Sequence, residues 1–274
     1  MKAIQITAFG GPDVMKYVDL PDPVANKDEV ILEVTAIGIN YADTHQTENS
    51  YLSPQTLPLI PGIEVVGNLD GKRYLASVSS GGYAAKAIAH KSVLFPIPDG
   101  VTDQQALCML IQGSTAWHLL KTMGNIHPGQ TVVIHAAAGG VGTIAIQLAK
   151  LWGAKVIAVA SSKEKLELAR SIGADHVVDA ATSDLGAALR RANGERGVDL
   201  VLEMVGGTTF DQSLIALGNF GKLITFGMAS RTAPTPIHPG ALMHGSKTVA
   251  GFWLANCFGR KELMDDVIGE LFEL

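Results

Sequence analysis

Apolar and polar positions change rhythm near Gln112. Before it the apolar residues come in short runs, such as Val30-Ile31-Leu32-Glu33-Val34 and Ala84-Ala85-Lys86-Ala87-Ile88-Ala89. Eight of the twelve prolines lie among these runs, before residue 100, so this part reads as short strands and turns. After it, apolar strands alternate with helical periods, the pattern of a parallel sheet with helices on its faces. A boundary within 110–115 follows, giving domains 1–112 and 113–274.

In the second part, Thr131 to Ala136 is a buried-strand run, followed by Ala137-Ala138-Gly139-Gly140-Val141-Gly142 and a helix from Thr143 to Trp152. Ile144, Leu148 and Leu151 recur at i, i+4 and i+7, and Gly153 stands where the helix stops. A strand over Lys155–Ala160 and a helix over Ser162–Ile172 complete a β-α-β-α unit. Further strands are predicted at His176–Asp179, Val198–Met204, Lys222–Phe226 and Thr248–Trp253. Six strands make a doubly wound sheet of the dinucleotide-binding kind. No repeat of solenoid length and no low-complexity tract interrupts the chain.

The glycine turn leaves a strand and opens a helix inside a β-α-β unit, the context that gives such a pattern its meaning. Gly139 would let the backbone approach a pyrophosphate, and Gly142 would let the helix pack tightly on the strand. The helix N-terminus would then offer free N–H groups and partial positive charge to phosphates. Ala137 stands where the usual fingerprint has its first glycine. The competing reading is a tight strand-to-helix turn with no ligand.

Composition narrows the field. The 274 residues, 47% hydrophobic and 17% charged, are enough for two domains and for an enzyme. A net charge of −5 supplies no positive field for a nucleic acid. No apolar run is long enough to span a bilayer, and the first residues lack the layout of a signal peptide, so a cytoplasmic protein with no membrane partner is expected. Cys108 and Cys257 support neither a disulfide framework nor a cysteine zinc cluster. The eight histidines show no metal-binding spacing, and no nucleophile elbow accompanies them. His135, within a strand, reads as a hydrogen-bonded core residue, and His45 as the histidine nearest the site.

The choice between NAD and NADP is read at the end of the second strand, where an acid would bind the ribose 2′-hydroxyl. Here the chain runs Val159-Ala160-Ser161-Ser162-Lys163, with no carboxylate before Glu164. Ser161, Ser162, Lys163 and Lys165 offer donors and positive charge to a 2′-phosphate. Alternatively Ser161 and Glu164 form a capping box and the lysines a solvated helix face.

Gly38-Ile39-Asn40-Tyr41-Ala42-Asp43-Thr44, Pro58-Leu59-Ile60-Pro61-Gly62-Ile63-Glu64 and His135 through Gly142 carry a family resemblance. Through them the chain, from end to end, resembles the medium-chain dehydrogenase/reductase superfamily, in its zinc-free quinone oxidoreductase branch related to zeta-crystallin. The resemblance implies an α/β protein, a GroES-like β-barrel catalytic domain followed by a Rossmann domain, with the active site in the cleft between them. Zinc-dependent relatives carry a cysteine where this chain has Asn40 and a histidine where it has Ile63. An amide and an alkyl group cannot replace those ligands, so no metal site is expected. Glu64, surviving alone from the metal motif, reads as a structural hydrogen-bond acceptor.

The same resemblance implies the remaining site residues. Asn40 and Asp43 border the substrate at the nicotinamide end of the cofactor, and Tyr51 lines the pocket. Without the family, Asn40 and Asp43 could equally make turn bonds after a strand. Thr115 corresponds to a contact with the nicotinamide carboxamide. Ala138, Gly139, Gly140 and Val141 belong to the pyrophosphate turn, with Ser161, Ser162 and Lys165 at the 2′-phosphate. Gly206, Gly227 and Met228 follow later strands and run along the ribose and nicotinamide.

The function expected is NADPH-dependent hydride transfer to a quinone. The alternatives are reduction of the double bond of an enal, enone or enoyl thioester, and a cofactor-binding sensor or structural protein without useful catalysis. A homodimer joined through Thr248–Trp253 is expected, since a long apolar edge strand tends to be covered. From Glu262 a helix is predicted with Leu263, Val267, Leu271 and Leu274 along one face, beside Met264, Ile268 and Phe272. It stops without a cap, and relatives continue through a further strand and helix, so the expectation is a C-terminally truncated chain.

Overall fold

The computed structural model describes residues 1–50 and 52–274. Two units are distinguished: Met1–Ile111 with Cys257–Leu274, and Gln112–Asn256.

In the first unit, a small hairpin pairs β1 (Lys2–Gln5) with β2 (Lys16–Asp19). The main strands are β3 (Glu29–Ile37), β4 (Glu64–Leu69), β5 (Lys72–Ser77), β6 (Lys86–His90) and β7 (Leu94–Pro96). They form one antiparallel sheet in the order β6-β3-β4-β5-β7. The sheet is open, with β6 and β7 at its edges, so the expected barrel is present as a curled half-barrel. Its buried side chains include Leu32, Val65, Ala76, Ala87 and Ala89, and the register sets Leu32 beside Ala87 and Val65 beside Ala76. The period-2 alternation therefore buries one continuous face. Between β3 and β4 runs the short helix α1 (Tyr41–Glu48), closed by Asn49 in the left-handed conformation. After β7 comes α2 (Asp103–Cys108), capped by the Thr102 hydroxyl, and then a π-helical turn over Met109–Gly113.

The second unit begins with α3 (Ser114–His118). Strands and helices then alternate as β8 (Thr131–Ile134), α4 (Gly140–Leu151), β9 (Lys155–Ala160), α5 (Lys163–Ser171) and β10 (His176–Asp179). They continue through α6 (Leu185–Ala192), β11 (Val198–Glu203), α7 (Gly207–Ala216), β12 (Leu217–Thr225), α8 (Pro239–Met243) and β13 (Thr248–Gly251). The sheet is wholly parallel in the order β10-β9-β8-β11-β12-β13. The chain reverses its winding between β8 and β11, the place where such sheets open a crevice at their carboxyl ends. Val133, Ile157, Val201 and Leu223 form the core on one face under Leu185, Leu189 and Phe210.

Two expectations are corrected here. Strand β12 starts at Leu217 rather than Lys222, because a bulge takes up Gly218–Gly221 and hides the apolar period at its start. The last helix, α9 (Lys261–Glu273), joins the first unit instead of domain 113–274. Its residues Met264 and Asp265 line a small hollow with Ser92, Val93 and Phe95, so spatial burial rather than chain continuity decides its membership. Its buried face is Met264, Val267, Ile268 and Leu271, at i, i+3, i+4 and i+7, while Leu274 is exposed. Among the described residues no helix is long and apolar enough to cross a membrane.

Candidate active site

In the first unit the chain leaves β3 and turns into α1 at Asn40, whose extended backbone makes it the N-cap. The Asn40 backbone N–H donates to Asp43 Oδ2 at 2.8 Å, and the Tyr83 hydroxyl donates to the same oxygen at 2.6 Å. The Asn40 side-chain nitrogen donates to Glu64 Oε1 at 2.7 Å. Glu64, the first residue of β4, is fully buried, and its other oxygen accepts the Ile111 backbone N–H at 3.1 Å. Gly38 makes room for this carboxyl, since a Cβ there would lie 2.2 Å from Glu64 Oε1.

Burial dominates the electrostatics of this cluster. It pushes the Glu64 carboxyl up to about 7, against the bonds from Asn40 and Ile111, and the nearby Asp43 charge adds to the rise. Burial also raises Asp43, opposed by the Asn40 N–H and the Tyr83 hydroxyl. Tyr83 is raised by burial, then by its bond to Asp43 and the charges of Asp43 and Glu64. Asp43 Oδ1 is buried with no hydrogen-bond partner among the described residues. An orphaned acceptor of this kind costs free energy unless a ligand donates to it.

In the second unit the glycine turn follows β8. The left-handed residue of the turn is Ala136 (φ 48), not one of the glycines. The glycines serve instead by close approach. A Cβ on Gly142 would stand 2.6 Å from the Ala136 carbonyl oxygen and 2.7 Å from Ala137 Cα, so helix and strand meet backbone to backbone. Gly139 is the N-cap of α4 and supplies no side chain, and Gly139 and Gly140 are exposed, leaving the first N–H groups of a 12-residue helix free for an anion.

At the end of β9, Ser162 rather than Ser161 is the N-cap of α5, accepting the Lys165 backbone N–H at 3.3 Å. Ser161 is exposed, as is Lys165, which makes no ion pair among the described residues. The lowered Glu164 carboxyl is held by backbone and Ser162 hydrogen bonds at the helix start.

Beyond β11 the backbone is held by Glu203, whose Oε1 accepts the N–H groups of Val205 (2.7 Å) and Gly206 (3.0 Å). Its Oε2 is buried without a partner among the described residues, and burial raises its pKa. Gly206 adopts φ +82, and the loop after β12 runs alongside through the N–H groups of Ala229 and Ser230, which donate to the Met204 and Val205 carbonyls. Gly227 and Met228 lie in that loop, and both are exposed. Thr115 is buried in α3. His135 is buried, bonds Ser213 at 2.8 Å and is lowered to about 4 by burial. His45 bonds Ser50.

Asn40 and Asp43 therefore share one cluster, and Ala138, Gly139, Gly140 and Val141 share one turn. Tyr51 lies outside the described residues. Tyr83 and Glu203 escape a reading of the sequence. Tyr83 is 40 residues from its partner Asp43, with no local signal, whereas Glu203 is betrayed only as a carboxylate closing an apolar strand.

A family model described as an alcohol dehydrogenase GroES-like domain matches residues 26–72, and one described as a zinc-binding dehydrogenase matches residues 140–272. The quinone oxidoreductase of Pseudomonas aeruginosa is 32% identical over an alignment covering 100% of this chain and 87% of that protein. The chain belongs to the medium-chain dehydrogenase/reductase superfamily, in its zinc-free quinone oxidoreductase branch. Two solved structures of this branch align with it. The Thermus thermophilus quinone oxidoreductase, determined also with NADPH, is 37% identical with a TM-score of 0.89, covering 100% of this chain and 87% of its own. The Escherichia coli quinone oxidoreductase complexed with NADPH is 30% identical with a TM-score of 0.93, at the same coverage. Among the described residues no three His, Cys, Asp or Glu side chains group to hold a metal ion.

Proposed function

We propose that this oxidoreductase reduces quinones with NADPH. The observation that carries the cofactor reading is the end of β9, where Ser161, Ser162 and the unpaired Lys165 stand in place of an acid. NADPH-bound relatives of the same fold support it. The residues fit the group: the Gly139 N–H closes the turn on the Ala136 carbonyl, and the uncapped N–H groups that follow, at Gly140 and Val141, suit a pyrophosphate, with Ala138 entering the turn. The loops bearing Gly206, Gly227 and Met228 would follow the ribose and nicotinamide, and Thr115 the carboxamide.

Bound NADPH supplies a hydride to the acceptor, and quinone reduction requires one proton besides. The chain's own task is to orient and to exclude water. In the first unit Asn40 offers an amide donor to a carbonyl oxygen, and Asp43 Oδ1 an acceptor. Tyr83 holds Asp43 in place; its raised pKa and its bond to Asp43 make it a poor proton source, which leaves that role to solvent or to Tyr41. The working form is a homodimer paired through β13, an edge strand of its sheet, which light scattering checks against a monomer.

The test compares NADPH oxidation by a naphthoquinone, a medium-chain enal and an enoyl thioester. The quinone is expected to be fastest, and a slower quinone defeats this reading in favour of double-bond reduction. NADPH binding without turnover of any acceptor defeats both. Lys165→Glu should remove most of the preference for NADPH over NADH, measured as the ratio of affinities by fluorescence.

A further inference from the structure

We propose that Glu64 is a positioning residue for the acceptor: its carboxylate fixes the Asn40 carboxamide with one N–H committed, leaving the second N–H as the donor to a carbonyl oxygen of the bound substrate. This rests on the reading of Asn40 as a residue that faces the ligand.

The geometry leaves the pair little freedom. Ile111 can only donate, so Glu64 Oε2 must accept, and the remaining oxygen meets Asn40 Nδ2 at 2.7 Å. The amide oxygen lies towards the first turn of α1, where Asn40 and Asp43 form a capping-box arrangement. Turning the amide over would set its oxygen against a carboxylate. The absence of a side chain at Gly38 lets the Glu64 carboxyl pack against the backbone there, where a Cβ would stand 2.2 Å from Oε1. Two donors, Asn40 Nδ2 and the Ile111 N–H, converge on this group, and a carboxylate accepts both, whereas an amide has one acceptor oxygen. What a charge adds is stronger polarisation of the Asn40 N–H groups.

The titratable groups around Glu64 are Asp43 from α1, Tyr83 from the segment before β6, and Cys108 from α2. Glu64 ionises at about 7, and only the ionised form accepts fully from Asn40. The rate constant kcat/KM should therefore rise with pH through this range.

The experiment uses Glu64→Gln and Asn40→Ala. In E64Q the glutamine oxygen is claimed by Ile111, so its NH2 group faces the Asn40 NH2 group, donor against donor. The expected result is a fall of about tenfold in naphthoquinone kcat/KM with NADPH affinity within about twofold, the scale of one charge-assisted hydrogen bond. The pH-dependent rise should also be lost. If Asn40→Ala lowers kcat/KM while Glu64→Gln keeps both the wild-type value and the rise, the Glu64 proposal is overturned alone. If Asn40→Ala matches wild type, the reading of Asn40 fails and takes the proposal with it. Should the glutamine variant not fold, the Asn40 side-chain amide resonance of the unmodified chain decides. A shift with an inflection near neutrality supports the proposal, and a flat response between about pH 6 and 8 overturns it.

Discussion

The two units offer their ligands opposite materials. In the first unit the polar atoms belong to side chains: Asn40, Asp43, Glu64 and Tyr83 hold one another, with two carboxyls raised by burial. In the second unit they belong to the backbone, exposed where Gly139 supplies no cap and Gly142 admits the helix against the strand. Buried side chains offer directional, tunable donors and acceptors, at a desolvation cost that depends on pH. Backbone N–H groups cost nothing of that kind and keep their charge at any pH, but they require that no side chain intrude. A varied acceptor suits the first construction, and an invariant pyrophosphate the second.

Three measurements would break or sharpen this contrast. The largest effect concerns the charge of Glu64. Its folded-state pKa lies above its unfolded value of 4.5, so the native state binds the extra proton and stability falls as pH rises from there to about 7. Denaturation of wild type and Glu64→Gln at both ends of this window should show the wild type losing roughly 3 kcal/mol relative to the variant. A constant difference would mean that the side-chain cluster carries no charge cost.

The next effect is Gly142→Ala. The added methyl would meet the backbone of Ala136 and Ala137, so a loss of about 2 kcal/mol is expected from overpacking. Because α4 must shift, NADPH affinity should fall at every pH alike. Normal affinity by fluorescence titration would show that the turn does not depend on close backbone approach.

The smallest is Ser162→Ala, which removes the N-cap of α5 and should cost about 1 kcal/mol by thermal denaturation. If NADPH affinity falls without loss of stability, the hydroxyl belongs to the ligand more than to the helix.

Legibility in the sequence follows the same division. The turn from Ala137 to Gly142 is contiguous, and its strand, turn and helix are local, so its place and type could be read directly. The first-unit cluster draws on residues 40, 43, 64, 83 and 111, which no local pattern unites. Asn40 and Asp43 were legible through a family motif, Glu64 only as a surviving acceptor, and Tyr83 not at all. At β9 the sequence offered a cap at Ser161 that the backbone moved to Ser162, because one residue of extended chain decides which hydroxyl meets the first turn.

The sequence by itself determined the strand and helix order of the second unit, the short-strand character of the first, and the absence of an acid at the end of β9. Those features depend on periodicity and on the identity of neighbours along the chain. Only the tertiary structure decided that α9 joins the first unit, that Tyr83 donates to Asp43, and that Glu64 holds Asn40. Each is a contact between distant segments, settled by which apolar faces bury together and by which buried polar atoms must then find partners.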